Sequence, residues 1–194
     1  MIRITSGSAK NKKIKIPDIE GIRVAQDKVR QAVFSIIGDK IEEATCLDLY
    51  AGSGIMGIEA LSRGASYCDF VDKEYNAIGT IKDNLTNCNF ENTLVEDENK
   101  PYILEKYNLH HMEAAKFTSK TPEKYDVIFA DPFYNDLKLK HLFEGIEQCL
   151  SAYGIVVLLH GEALNIPQTL SNTNLIEVDS RKYGATLVSI IKHN

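Results

Sequence analysis

Four carboxylates and a pair of glycines carry the first chemical signal in this chain. Asp48 lies near the end of the apolar run 46–49, which passes through Tyr50 and Ala51 into Gly52-Ser53-Gly54. Asp72 closes a second apolar run, Glu113 follows a third, and Asp131 closes a fourth and opens the tetrapeptide Asp131-Pro132-Phe133-Tyr134. Gly52 and Gly54 put no side chain between the backbone and a ligand, and the apolar segment after them is a helix whose free N–H groups face the turn. The spacing predicts a nucleotide cofactor site. Gly52-x-Gly54-x-x-Gly57 satisfies the dinucleotide fingerprint, with Asp72 as its acid, so NAD is one candidate.

Asp48 points elsewhere. A carboxylate inside the strand end would face a diphosphate unfavourably but could hold the positive end of a cationic ligand. S-adenosylmethionine carries a sulfonium and an ammonium and no phosphate, and it fits this pattern. On that reading Asp72 accepts from ribose hydroxyls and Glu113 from an adenine amino group. The Asp131-Pro132-Phe133-Tyr134 turn suits an exocyclic base amine, whose lone pair is delocalised into the ring. The Asp131 carboxylate and the Pro132 carbonyl could each accept one N–H, while Phe133 or Tyr134 stacks on the base. For Gly57 we expect a packing role inside the helix.

The elements that must position these groups follow from hydrophobic patterning. Strands are expected at 46–50, 67–71, 109–112, 126–130 and 155–159, with helices at 55–62, 74 to about 87, and from 139 to about 150. The tail, 174–179 and 185–191, reads as a strand pair joined without a helix. Strand and helix units in alternation imply a doubly wound, mostly parallel α/β sheet with an antiparallel edge. An amphipathic helix is expected from Asp27 to Gly38. Residues 90–107, with five acids and a proline, read as an acidic loop with one helical turn.

At 194 residues, 44% hydrophobic and 25% charged, the chain has the makeup of one domain with a small extension. We divide it into a strand-rich hairpin extension, 1–24, and a main domain, 25–194. No run approaches a membrane span or a signal peptide, which implies a cytoplasmic protein. The four cysteines lack metal or redox spacing and the five histidines form no ligand pattern, so no metal is expected. Net charge is -5, yet residues 1–30 carry eight Lys and Arg against three acids, leaving the remainder at -10. A basic arm on an acidic body suits a phosphate-bearing partner, although such lysines also serve simply to blunt a sheet edge.

With those residues in hand, the chain resembles the RsmD family of S-adenosylmethionine-dependent methyltransferases. The likeness is carried by Ile2-Arg3-Ile4-x-x-Gly7, Arg23-x-x-x-Asp27-Lys28-Val29-Arg30, the run from Leu47 to Gly54, and Gly57-Ile58-Glu59-Ala60-Leu61-Ser62-Arg63-Gly64-Ala65. Phe70-Val71-Asp72, Asn84-Leu85, Asp126-Val127-Ile128-Phe129-x-Asp131-Pro132 and Tyr183-Gly184-x-Thr186 extend it. The resemblance implies a seven-stranded Rossmann-like fold acting on a guanine amino group (N2) in small-subunit ribosomal RNA, as RNA or as an assembling 30S particle, and a monomer. Cofactor contacts are implied at Asp48, at the turn (Tyr50, Ala51, Gly52, Ser53, Gly54), at Asp72 and Lys73, at Glu113 and Ala114, and at Asp131. Catalysis is implied at Asp131, Pro132, Phe133 and Tyr134. RNA contacts are expected from Arg3, Lys10, Lys12, Lys13, Arg23, Lys28 and Arg30. Phe133 stands where the family has a second proline, Arg23-Val24-Ala25 replaces Arg-Pro-Thr, and the acidic loop is longer. The Phe133 departure keeps open an RNA-binding homologue without turnover.

Overall fold

The strand that carries the glycine turn is buried on both faces, and the rest of the chain is layered around it. In the computed structural model, which describes residues 2–21, 25–95, 102–132 and 139–194, a short hairpin comes first, β1 (Ile2–Arg3) and β2 (Lys13–Ile14). Helix α1 (Asp27–Ile37) follows, and a 3-10 turn leads to β3 (Thr45–Leu49). Then come α2 (Ile55–Ser62), β4 (Tyr67–Asp72), α3 (Tyr75–Asn87), β5 (Thr93–Val95), β6 (Tyr102–Leu104) and β7 (Tyr107–His111). The remainder is α4 (Ala114–Thr118), β8 (Tyr125–Ala130), α5 (Leu139–Cys149), β9 (Leu150–His160), α6 (Ile166–Thr169), β10 (Leu175–Tyr183) and β11 (Thr186–His193).

Seven strands form one sheet in the order β10-β11-β9-β8-β3-β4-β7. Neighbours from β9 to β7 pair in parallel, while β11 runs antiparallel to both β9 and β10. Every parallel step carries a helical crossover, and the β10–β11 turn, at Gly184 with φ of +62°, needs none. The order reverses between β3 and β8, which is where doubly wound sheets open a crevice at their carboxyl ends.

One face of the sheet packs against the hairpin, α1, α2 and α3, with Val33, Phe34, Ile58, Phe70, Ile81 and Phe129 in its core. The other packs against α4, α5 and α6 through Leu49, Ile128, Phe143, Ile146 and Leu158. All eight residues of α2 are buried, because the hairpin and α1 cover the side turned away from the sheet. That burial includes Glu59, which is 0% exposed. Its carboxylate accepts from the N–H groups of Thr5 and Ser6, the Thr5 hydroxyl and Arg63 Nε at 2.6–3.2 Å.

The expectation for 90–107 is corrected. Where it is described, the segment is paired strand and not loop, Thr93 opposite Leu104 and Val95 opposite Tyr102, and residues 96–101 of the expected acidic loop lie outside the described residues. Strands β10 and β11 also run longer than their apolar centres, because their ends pair with one another, and β9 starts early, with Leu150 opposite Tyr125 of β8. No helix among the described residues is long and apolar enough to cross a membrane.

Candidate functional site

The chain leaves β3 at Leu49 and turns sharply, and the turn is held from below and from the side. Tyr50, Gly52 and Gly54 all adopt left-handed backbone, with φ of +57°, +54° and +74°. For tyrosine that conformation costs about 1–2 kcal/mol. The neighbouring strand pins the turn: Ala51 N donates to Val71 O at 3.1 Å and Gly54 N to Ala51 O at 2.6 Å. Gly54 has a second constraint, since a Cβ there would come within 3.0 Å of Ile81.

Asp72 holds the turn from the side. Its Oδ2 accepts from Gly52 N at 2.8 Å and its Oδ1 from Glu74 N at 2.9 Å, so one carboxylate ties the glycine turn to the start of α3. Asp48 holds it from below. Only 3% exposed, it accepts from Gly57 N at 2.9 Å, using one of the N–H groups that the first turn of a helix leaves free. Burial pushes the Asp48 carboxyl well above the usual range, the Gly57 bond opposes this, and the nearby Asp131 and Asp72 charges add to it. Asp48 thus feels the charges of Asp72 and Asp131 from the ends of β4 and β8. Glu113 joins them through the chain before it: Met112 N donates to Asp72 O at 3.0 Å, which brings the end of β7 against the end of β4. Ala114, next along, is buried at the start of α4.

Asp131 and the buried Pro132 follow β8, whose Ala130 pairs with Leu49. The crevice thus has the glycine turn on one strand and the Asp-Pro pair on the next. Phe133 and Tyr134 lie outside the described residues, as does Arg23. Ser53 is buried, and its carbonyl accepts from Asn84 Nδ2 at 2.9 Å. Lys73 is 56% exposed and lies 3.8 Å from the Glu74 carboxylate. Gly57 has a packing reason: a Cβ would lie 2.4 Å from the Phe70 ring and 2.7 Å from Cys68 Sγ.

Among the basic residues, Arg30 is corrected. Its side chain is 0% exposed and donates to Ala25 O and Arg3 O, both at 2.6 Å, and to Asp27 at 3.0 Å. Arg30 Nε lies 3.8 Å from Glu59 and makes no hydrogen bond. A side chain so enclosed ties α1 to the hairpin and to α2 and has no face left for a phosphate. Arg3, Lys10, Lys13 and Lys28 are exposed and Lys12 half-buried. Lys28 stands at the start of α1. Lys10 and Lys12 belong to the hairpin turn, where Ser8 N donates to Ser62 O at the far end of α2. Asn87, the last residue of α3, donates to Lys13 O. The Ser62 end of α2 lies a helix length, roughly 12 Å, from the glycine turn. Asn84 of α3, by contrast, bonds both Lys15 and Ser53 and so ties the residue after β2 to the turn itself.

Glu59 and Asn84 escape a reading based on strand ends. The signal for both was a polar residue on the core-facing surface of a helix. Among the described residues no group of three or more His, Cys, Asp or Glu is placed to hold a metal. The four cysteines are free and buried, and burial raises the Cys149 thiol to about 12.

Comparison with known proteins matches this arrangement. A family model described as "Conserved hypothetical protein 95" covers residues 2–192. The chain is 35% identical over 193 residues to the Bacillus subtilis (strain 168) protein named "Putative rRNA methyltransferase YlbH", spanning 98% of each. It is 30% identical over 131 residues to "Ribosomal RNA small subunit methyltransferase D" of Escherichia coli (strain K12), covering 68% of this chain and 59% of that protein. The solved structure of "Putative methyltransferase yhhF from Escherichia coli" shares the fold, with a TM-score of 0.79 at 21% identity over 99% of this chain and 97% of that one. With a match that runs nearly end to end, the chain belongs to the Conserved hypothetical protein 95 family, the RsmD family of class I methyltransferases.

Proposed function

We propose that this chain is an S-adenosylmethionine-dependent methyltransferase whose acceptor is the exocyclic N2 amino group of a guanine in small-subunit ribosomal RNA. The observation that carries the reading is the pairing of β3 with β8, which sets the glycine turn beside Asp131 and Pro132. Family membership and the names of the relatives support the ribosomal RNA substrate, and the guanine amino group is our own step beyond them. The donor set suits a cationic nucleoside: acidic side chains gather at the ends of β3, β4 and β8, and the turn offers backbone without side chains.

When bound, S-adenosylmethionine supplies a methyl group activated by the sulfonium. The protein's part is to prepare the amine. Asp131 and the Pro132 carbonyl each accept one amino N–H, which localises the nitrogen lone pair and holds its direction. Asp131 is also the first acceptor for the proton that the amine must shed. Tyr134, with Phe133 beside it, would stack on the base. Asp72 and Glu113 would take the ribose and the adenine amino group. Lys28, Arg3 and Arg23, with Lys10, Lys12 and Lys13 on the hairpin, would grip the RNA phosphates. We place the enzyme in the cytoplasm as a monomer, acting on RNA or on an assembling 30S particle.

Labelled S-adenosylmethionine and small subunits lacking the modification should yield one labelled guanine, and Asp131→Ala should abolish the label. Transfer that survives Asp131→Ala sinks the mechanism. Phe133, standing at the family's second proline, favours a second reading, a homologue that binds RNA without turnover. RNA binding with no transfer, revived by Phe133→Pro, would select it.

A further inference from the structure

The face of the sheet that carries α4 holds a polar cluster that the crevice does not use. Asp69 on β4 is 3% exposed. It accepts from three side chains on three strands: Tyr67 Oη at 2.9 Å, Tyr125 Oη at 2.6 Å and His110 Nε2 at 2.6 Å. A carboxylate oxygen accepts here, so His110 Nε2 carries a hydrogen. Burial, with Asp69 beside them, raises both phenols above their usual range and keeps them neutral donors. Asn108 donates to Tyr67 Oη at 2.8 Å and to Glu105 at 3.2 Å. The His110 ring rests 4.6 Å from that of Phe117.

These groups line a pocket of about 680 Å³. It exists because α4 has only five residues, about 7.5 Å of helix, and cannot cover the roughly 17–20 Å length of β4 and β7. Thr45, Tyr67 and Tyr125, the first residues of β3, β4 and β8, lie along it, so it opens towards the amino ends of the strands, away from the glycine turn. A face left open merely to water would not enclose a carboxylate and supply it with three side-chain donors, two of them from other strands. The lining is also biased in sign. Asp69, Glu105 and Glu123 stand against Lys120, and the rings of Phe117, Tyr67 and Tyr125 supply aromatic walls.

We infer that this pocket binds an organic cation, an ammonium or guanidinium group held by Glu105 and Glu123 beside the Tyr67 and Phe117 rings. Carboxylates and aromatic walls are complementary to an N–H-rich cation and repel phosphate. A free polyamine and a lysine or arginine side chain of another protein share that chemistry. The site does not depend on the methyl-transfer reading.

Calorimetric titration of the full chain with spermidine, and separately with N-acetylarginine amide, tests it, with inorganic phosphate as the anion control. One saturable equivalent of cation is expected, with affinity about tenfold weaker in E105Q/E123Q. The exposed pair E42Q/E43Q should leave it unchanged, and S-adenosylhomocysteine should bind both variants as it binds the parent. Tighter spermidine supports the site with a free polyamine as occupant; tighter arginine amide supports it with a protein side chain. Absence of saturable binding, equal weakening in E42Q/E43Q, or binding of phosphate overturns the inference. Loss of S-adenosylhomocysteine binding in E105Q/E123Q overturns its separation from the crevice.

Discussion

Asp72→Asn is the sharpest perturbation of the glycine turn, because it removes no volume and changes only what one atom can do. In the native chain both carboxylate oxygens accept from backbone, Gly52 N at 2.8 Å and Glu74 N at 2.9 Å. Asparagine has one accepting oxygen and one NH₂. Whichever way the amide turns, an N–H of the side chain must face an N–H of the backbone. The loss is one charge-assisted hydrogen bond, about 1.5–3 kcal/mol when buried. Asp72 is only half-buried, so water recovers part of this and about 1–2 kcal/mol remains. For a chain of this size each kcal/mol moves the melting temperature by about 2–4 °C, so a fall of about 2–8 °C is expected by differential scanning calorimetry. Because Gly52 is released, S-adenosylhomocysteine should bind at least about tenfold more weakly by titration calorimetry. A melting temperature within 1 °C of the parent, whatever happens to the ligand, would refute the reasoning, since Asp72 would then not be holding the turn.

Three further outcomes follow from the same packing. Burial raises the Asp48 carboxyl well above its unfolded value near 3.9, so its contribution is fully present below that pH and is lost as pH rises through the folded value. Asp48→Asn keeps an acceptor for Gly57 N and removes the titration. Urea denaturation at pH 5 and pH 8 should therefore show the variant gaining on the parent as pH rises, and an equal gap at both pH values would contradict this. Arg30→Leu breaks a buried charge cluster and should cost about 3–5 kcal/mol, towards the lower end because Glu59 keeps Arg63. RNA affinity at a temperature where the variant is folded should stay within twofold, in contrast to Lys28→Ala, and a selective loss in the Arg30 variant would restore it as a contact. In Gly57→Ala, the 2.4 Å approach to Phe70 should cost about 1–3 kcal/mol, less the helix propensity gained. Phe70→Leu should relieve much of that cost in thermal melts, and no relief would place the strain elsewhere.

Those residues also mark what could be read from sequence and what could not. The parallel strands were plain because burial on both faces leaves uninterrupted apolar runs, and the glycine turn was plain because left-handed backbone selects its residues. Hairpin β5–β6 was hidden because its strands are three residues long and flank acids, too short for alternation to show. Arg30 was misassigned from charge alone. It stands three, four and seven residues before Val33, Phe34 and Ile37, on the core face of α1, so periodicity already placed it inside. The bond between Asp48 and Gly57 depends on how α2 seats on β4, a tertiary fact with no local signature. The depth of the Asp69 cluster was equally hidden, since Tyr67, Asp69, Asn108 and His110 read as ordinary polar positions until the shortness of α4 exposes their face.

Asn84 has a consequence for the order in which the molecule can be built. Buried in α3, its amide accepts from Lys15 N, donates to Lys15 O and donates to Ser53 O, each at 2.9 Å. Asn84 lies 69 residues from Lys15 and 31 from Ser53, and the hairpin, which precedes α2 and α3, is synthesised before them. It must wait, unpaired along one side, until α2 and α3 have emerged and can be closed over by a long-range contact. One side chain thus joins the hairpin to the glycine turn, so whatever loosens Asn84 loosens both together.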